Sequence, residues 1–91
     1  MSNGENFESK NNDVVYKMQI LLSDIETVKK FVAFVNNYEF PVLLVSDRYI
    51  INGKSIMGIF GLDLSKPVEL RVLCECPDDF KEKIQEFRVE V

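Results

Sequence analysis

Histidine is absent from the 91-residue sequence, and cysteine occurs only twice. Without histidine, the chain has no means of Ser-His-Asp or Cys-His catalysis, of imidazole acid–base chemistry or of phosphohistidine formation. The commonest transition-metal ligand is missing as well, and two cysteines alone do not complete a four-ligand zinc site. Because no Gly-rich phosphate loop is present either, we expect neither a bound metal nor a cofactor.

Basic residues are also in the minority. The chain has 11 Lys and Arg against 15 Asp and Glu, a formal net charge of −4. This balance argues against nucleic acid as a partner, since phosphates need a basic surface, and against an anionic membrane surface. The sequence contains no signal-peptide pattern and no apolar run long enough to span a bilayer. We therefore expect a cytoplasmic protein whose length allows one domain.

The two cysteines, Cys74 and Cys76, are separated by one residue. On a strand they would share one face, and a disulfide closing so small a ring would be strained. The simpler interpretation is a pair of reduced cysteines that serve as small apolar side chains, which suits the cytoplasm. The alternative is a small redox or metal protein with reactive, low-pKa thiols.

The chain divides into a polar N-terminal segment and a patterned remainder. Residues 1–13 contain four Asn and a single aromatic residue, which indicates a flexible tail. Residues 14–91 form the predicted domain. Its first apolar residues alternate with Lys17 and Gln19, as in a half-buried strand: Val14, Tyr16, Met18, Ile20 and Leu22.

The apolar period then changes from strand to helix. Ser23 and Glu26 have the spacing of a capping box, with Ser23 as the cap, and Asp24 and Glu26 suit the positive end of a helix dipole. A helical stripe follows: Ile25, Val28, Phe31, Val32 and Val35. Asn36-Asn37 ends the helix, because Asn tolerates the left-handed conformation.

Short elements make up the rest. Strands are predicted at 41–45 and 49–51, with turns at Asp47-Arg48 and Asn52-Gly53. Ser55 caps a short helix, 56–60, and Pro77 begins the last helix.

Alternating residues form the fourth strand (Val68, Leu70, Val72 and Cys74), and one side of the last helix is apolar (Phe80, Ile84 and Phe87). The order β-α-β-β-α-β-α predicts an α+β open-faced β-sandwich: a four-stranded antiparallel sheet with three helices on one face.

One segment is more specific than this order. Lys54-Ser55-Ile56-Met57-Gly58, followed by Ile59-Phe60-Gly61-Leu62, resembles the HPr family, the small phosphocarrier proteins of the bacterial sugar phosphotransferase system. The resemblance runs from about Val14 to the end of the chain. In HPr proteins of Gram-positive bacteria, such a segment opens the second helix, and its serine is the regulatory site of an ATP-dependent HPr kinase/phosphorylase. The resemblance therefore implies that Ser55 is a phosphorylation site.

The signature of the family's reaction is missing. Asp24 occupies the position of the catalytic histidine, Glu26 that of an arginine and Thr27 that of a proline. A carboxylate at Asp24 would have to form an acyl phosphate with a partner built for imidazole, and Glu26 would repel the phosphoryl group. The residues thus argue against the phosphocarrier reaction, and the chain is similar in kind to catabolite-repression HPr-like proteins, which keep the serine and lack the histidine.

These observations predict a non-catalytic regulatory or adaptor protein. As well as capping its helix, Ser55 would carry a phosphate, which the free N–H groups and dipole of a helix N-terminus favour. The resemblance implies that a partner protein docks on Lys54, Ile56, Met57 and Phe60. It also implies the partners: an HPr kinase/phosphorylase, and a LacI-type transcription regulator or proteins of the phosphotransferase system.

Two further alternatives remain open. The chain is either a degenerate phosphocarrier that still works in the phosphotransferase system, or a structural module that kept the fold after losing its regulation. The oligomeric state is open too, because an edge strand can pair with a copy of itself and the sequence does not say which strand would do so.

Overall fold

The computed structural model describes residues 16–47 and 49–89. The predicted tail, residues 1–13, lies outside the described residues, as do residues 14, 15, 48, 90 and 91. The described elements are β1 (Tyr16–Ile20), α1 (Ile25–Val35), β2 (Leu43–Ser46), β3 (Tyr49–Asn52), α2 (Ile56–Phe60), β4 (Val68–Val72) and α3 (Asp78–Lys83), with a 3₁₀ turn at Ile84–Phe87.

The four strands form one antiparallel sheet in the order β1-β4-β2-β3. Leu44 lies opposite both Leu70 and Ile51, and Met18 lies opposite Leu70 on the same face. Buried residues of α1, α2 and α3 join this face in a single core cluster, so the helices cover one side of the sheet. The predicted α+β open-faced sandwich is confirmed.

The other face of the sheet follows from the same alternation. Lys17 lies opposite Arg71, and Gln19 opposite Glu69. Glu69 accepts from Arg71 Nε at 2.9 Å and lies 3.8 Å from Lys17 Nζ. The alternation of polar and apolar residues read from the sequence therefore sets which face of β1 and β4 meets the helices.

The aromatic core is larger than the sequence pattern indicated. The ring of Phe80 lies 5.2 Å from Phe34, 5.1 Å from Tyr38 and 5.2 Å from Phe40, centroid to centroid. Tyr16, at the start of β1, approaches Phe80 at 6.3 Å. Phe80 is fully buried. Its side chain therefore packs α3 against α1, against the loop after α1 and against the first strand.

Helix α1 begins differently from the prediction. Its N-cap is Asp24, whose side chain accepts from Thr27 N, and Ser23 makes no cap. Ile25 is 57% exposed rather than part of the buried stripe, because it is the first helical residue and precedes the core-facing turn. Asn36 ends the helix in the right-handed conformation, with a φ of −72°, so the left-handed ending predicted from Asn36-Asn37 is wrong.

Several boundaries also shift. β2 begins at Leu43 and β3 continues to Asn52, while β4 ends at Val72, so Cys74 lies beyond the strand that was predicted to contain it. Pro77 is the N-cap of α3 rather than its first helical residue. Within the described residues, no helix has both the length and the apolar character needed to cross a bilayer.

Candidate functional site

Ser55 lies where α1, β3 and α2 come together. Its backbone is extended, and its Oγ accepts a hydrogen bond from Gly58 N at 3.2 Å. This confirms the predicted cap. A Cβ at position 58 would lie 3.4 Å from the half-buried Ser55 Oγ, so this residue directly adjoins the hydroxyl.

The turn before Ser55 is held by one side-chain acceptor and by bonds between backbone groups. Asn52 Oδ1 accepts from Lys54 N at 2.9 Å, and Asn52 O accepts from Ser55 N at 3.0 Å. Gly53 N donates to Val42 O at 2.7 Å, and a Cβ on Gly53 would lie 3.1 Å from that same oxygen. The close approach of the two backbones favours glycine at this position.

Lys54 is tied to the loop that follows α1. Its Nζ donates to the backbone oxygen of Tyr38, and its own backbone oxygen accepts from Asn36 Nδ2 at 3.4 Å. The hydroxyl of Tyr38 in turn donates to Asp79 Oδ2 at 2.7 Å. This bond raises the pKa of Tyr38 to about 12. The segment before Ser55 is thus connected through one loop to α3, a connection that no sequence pattern signalled.

The apolar residues predicted to dock a partner divide by exposure. Met57 is 79% exposed and Phe60 42% exposed, whereas Ile56 is half-buried and packs against the core. Ile59 alone is buried. A five-residue helix has too little surface to bury more, so α2 presents Met57 and Phe60 to solvent beside Ser55. We call Ile56, Met57 and Phe60 the α2 surface.

Asp24 lies at the opposite end of α1. Its Oδ1 accepts from both Thr27 N, at 2.8 Å, and Thr27 Oγ1, at 2.9 Å. The bond from the Thr27 backbone, followed by that from the Thr27 hydroxyl, lowers the pKa of Asp24. Asn36 at the other end of α1 touches Lys54. An 11-residue helix spans about 16 Å, so the structure does not bring Asp24 and Ser55 together.

Comparisons with known proteins give a structural likeness. HPr-C-His from Thermoanaerobacter tengcongensis has a TM-score of 0.67 at 19% identity, covering 79% of this chain and 89% of that one. Phosphocarrier protein HPr from Bacillus anthracis has a TM-score of 0.61 at 18% identity, covering 81% and 94%. The chain has the HPr fold. No family model and no curated protein matches the sequence, so the likeness concerns architecture.

Within this HPr fold, the two cysteines lie between β4 and α3. Cys74 is half-buried, Cys76 is buried, and both are free thiols. Burial raises the pKa of Cys76, which is opposite to the shift that makes a thiol reactive. Among residues 16–47 and 49–89, no three Cys, Asp or Glu side chains are grouped as metal ligands would be. The geometry therefore favours the packing interpretation over the redox one.

Proposed function

We propose that this protein is an HPr-like regulatory or adaptor protein related to the phosphotransferase system, controlled by phosphorylation of Ser55. The observation that carries the proposal is the juxtaposition of the Ser55 cap with the exposed Met57 and Phe60. A kinase that reaches the Ser55 hydroxyl would also contact the α2 surface. A protein bound to that surface would lie close to the negative charge of a phosphate on Ser55. The HPr fold supports this proposal because its solved examples include a phosphocarrier protein.

The expected modification is a simple phosphoryl transfer. The kinase would move the γ-phosphoryl group of ATP to the Ser55 Oγ, releasing ADP and the hydroxyl proton. A phosphate there would meet the amides of the first turn, including that of Gly58, which already bonds to the oxygen. We therefore expect the helix to persist, and the main change to be the added charge that a partner encounters.

The residues at the start of α1 favour a non-catalytic role over that of a degenerate phosphocarrier. Both Thr27 donors act on one oxygen of Asp24, and its lowered pKa marks a carboxylate held in its charged form as a cap. We expect such a carboxylate to be a poor nucleophile. Glu26, two residues further along the chain, adds a second negative charge where a phosphoryl group would arrive.

The deciding experiment is intact-mass analysis after incubation with an HPr kinase/phosphorylase and ATP. We expect one added phosphoryl group in the native chain and in Ser65→Ala, and none in Ser55→Ala. Ser65 is a suitable control because it is an exposed serine whose hydroxyl bonds to Asp63. No added group, or a group retained in Ser55→Ala, would contradict the proposal. Transfer from phosphoenolpyruvate through the first enzyme of the system would instead support the phosphocarrier alternative.

Docking is tested separately with a LacI-type transcription regulator as the probe. We expect the Ser55-phosphorylated chain to bind at least tenfold more tightly than the unmodified chain, and Met57→Glu to abolish that gain. Leu73→Glu is the matched control, since Leu73 is an exposed apolar residue on the loop after β4. Equal binding by the two phosphorylation states would remove this partner from the proposal.

A further inference from the structure

The two edges of the sheet differ in what covers them. At the β1 edge, the chain returns after the 3₁₀ turn: Val89 N donates to Gln19 O at 3.0 Å, and Leu21 N donates to Phe87 O at 3.1 Å. At the other edge, β3 pairs with β2 on its inner side, and no other described strand reaches its outer side. Among the described residues, one edge is therefore closed by the chain itself, and the other is open.

The register shows which backbone groups lie on the open edge. Only two residues separate β2 from β3, so Ser46 and Tyr49 form the hydrogen-bonded pair that closes the hairpin. Hydrogen-bonded and non-bonded pairs alternate along an antiparallel ladder, which makes Val45–Ile50 a non-bonded pair. The bond from Gly53 N to Val42 O follows this alternation. The N–H and C=O of Ile50 consequently point away from β2, toward the open edge.

Nothing in the side chains of β3 protects this edge. The strand has the sequence YIIN, without a charge or a proline, and its register with β2 runs without a bulge. Tyr49 is 62% exposed and Ile50 is 61% exposed. Natural edge strands usually carry Lys, Pro or a bulge that prevents pairing with another chain. β3 has none of these three, and its four-residue length is the one feature that limits pairing, so the edge suits a short partner strand.

We propose that β3 pairs with β3 of a second copy of this chain, antiparallel about a two-fold axis at Ile50. In this arrangement, the N–H and C=O of each Ile50 bond to those of the other, because the axis makes the two edges identical. The two Ile50 side chains then lie opposite each other on the outer face, continuing the apolar strip formed with Val45 across the hairpin. The result is a continuous sheet of twice four strands.

A second copy fits this edge because the outward N–H and C=O of Ile50 in one copy find their acceptor and donor in the same groups of the other. The strand has four residues, so the buried area is below the 1,200–2,000 Å² of stable complexes. We therefore expect a weak dimer whose population rises with protein concentration. Phosphorylation of Ser55 is not needed for it, so this inference does not depend on the proposed function.

Cross-linking tests the geometry directly. Residues opposite each other in an antiparallel pair lie within the Cα separation that a disulfide accepts. Ile50→Cys should therefore form a dimer under diamide at least tenfold faster than Met57→Cys, although Met57 is more exposed, at 79%. The native chain, which keeps Cys74 and Cys76, supplies the background rate. Equal rates for the two variants would indicate random collision and overturn the proposal.

Sedimentation equilibrium provides the second measurement. We expect the native chain to associate in the range of about 10 µM to 1 mM, and Ile50→Lys to weaken association at least tenfold by placing like charges opposite each other. Ile25→Lys is the matched control, because Ile25 is similarly exposed, at 57%, but lies on α1. If the native chain stays monomeric throughout, the second copy is excluded, and a strand from a different protein becomes the candidate for this edge.

Discussion

The N-termini of α1 and α2 use the same local device in two different settings. Asp24 caps α1 with a charged carboxylate that receives two bonds from Thr27, and Ser55 caps α2 with a neutral hydroxyl that receives one from Gly58. Helix α1 has 11 residues and buries Val28, Phe31 and Val35. Helix α2 has five residues and buries Ile59 alone.

This difference separates a cap that stabilises a helix from a cap that depends on its surroundings. The cap of α1 is made within its own first turn, and three buried residues hold the helix against the core. A helix as short as α2 does not form in isolation, so the position of Ser55 depends on the Asn52 turn, on Lys54 and on one buried isoleucine. A modification site is easier to reach on such a short, exposed element than within a long packed helix.

The largest expected effect on stability comes from truncating Ile59, the one buried residue of α2. Ile59→Ala should lower the free energy of unfolding by about 2–5 kcal/mol, because a fully buried side chain leaves a cavity. Ile25→Ala, at an exposed position on α1, should change it by less than about 0.5 kcal/mol. Urea unfolding measures both. Similar values for the two variants would mean that α2 is not anchored through Ile59.

The next test removes the tie between Lys54 and the loop after α1. Lys54→Met should lower the free energy of unfolding by about 1.5–3 kcal/mol, because the carbonyl of Tyr38 loses a charged donor. Lys29→Met removes only an exposed pair with Glu26 at 4.0 Å, which contributes little. Amide exchange of Ser55 and Gly58, followed by NMR, should speed up in the first variant alone. Unchanged exchange in Lys54→Met would show that Lys54 does not hold the segment.

The caps themselves come next. Ser55→Ala should cost about 1 kcal/mol of stability, because the amide of Gly58 loses its acceptor. Ser55→Asp should recover most of that loss, since Asp is an equally good cap. Ser23→Ala should have no measurable effect because Ser23 does not cap α1. If Ser23→Ala lost as much stability as Ser55→Ala, Ser23 would be the cap of α1, as the sequence predicted.

The smallest effect concerns the charge on Asp24. Because hydrogen bonds from Thr27 lower its pKa in the folded state, its stabilising contribution is complete above the ordinary pKa of Asp. That contribution disappears as the pH falls through the lowered value. The stability advantage of the native chain over Asp24→Asn should therefore shrink in acid, as measured by urea unfolding at several pH values. Thr27→Val should keep most of this pH dependence, because the backbone donor remains; an advantage independent of pH would contradict the assignment.

Much of the fold was predictable from local patterns. Period-two alternation identified β1 and β4, and the buried residues Val68, Leu70 and Val72 confirm which face turns inward. The Ser55 cap was predictable because a side-chain acceptor three residues before a free amide is a local matter. The choice between Ser23 and Asp24 was not, since both residues cap well and a one-residue shift in the helix start decides between them.

Residue type and short-range spacing account for the element order, for the inward face of the strands and for the absence of imidazole chemistry. Local patterns do not show that Lys54 bonds to Tyr38, that four aromatic rings surround Phe80, or that Asp24 and Ser55 lie at opposite ends of α1. Nor do they show that, among the described strands, β3 rather than β1 is the open edge. The physical reason is that these relations join residues far apart in the chain, and only packing of the helices on the sheet brings them together.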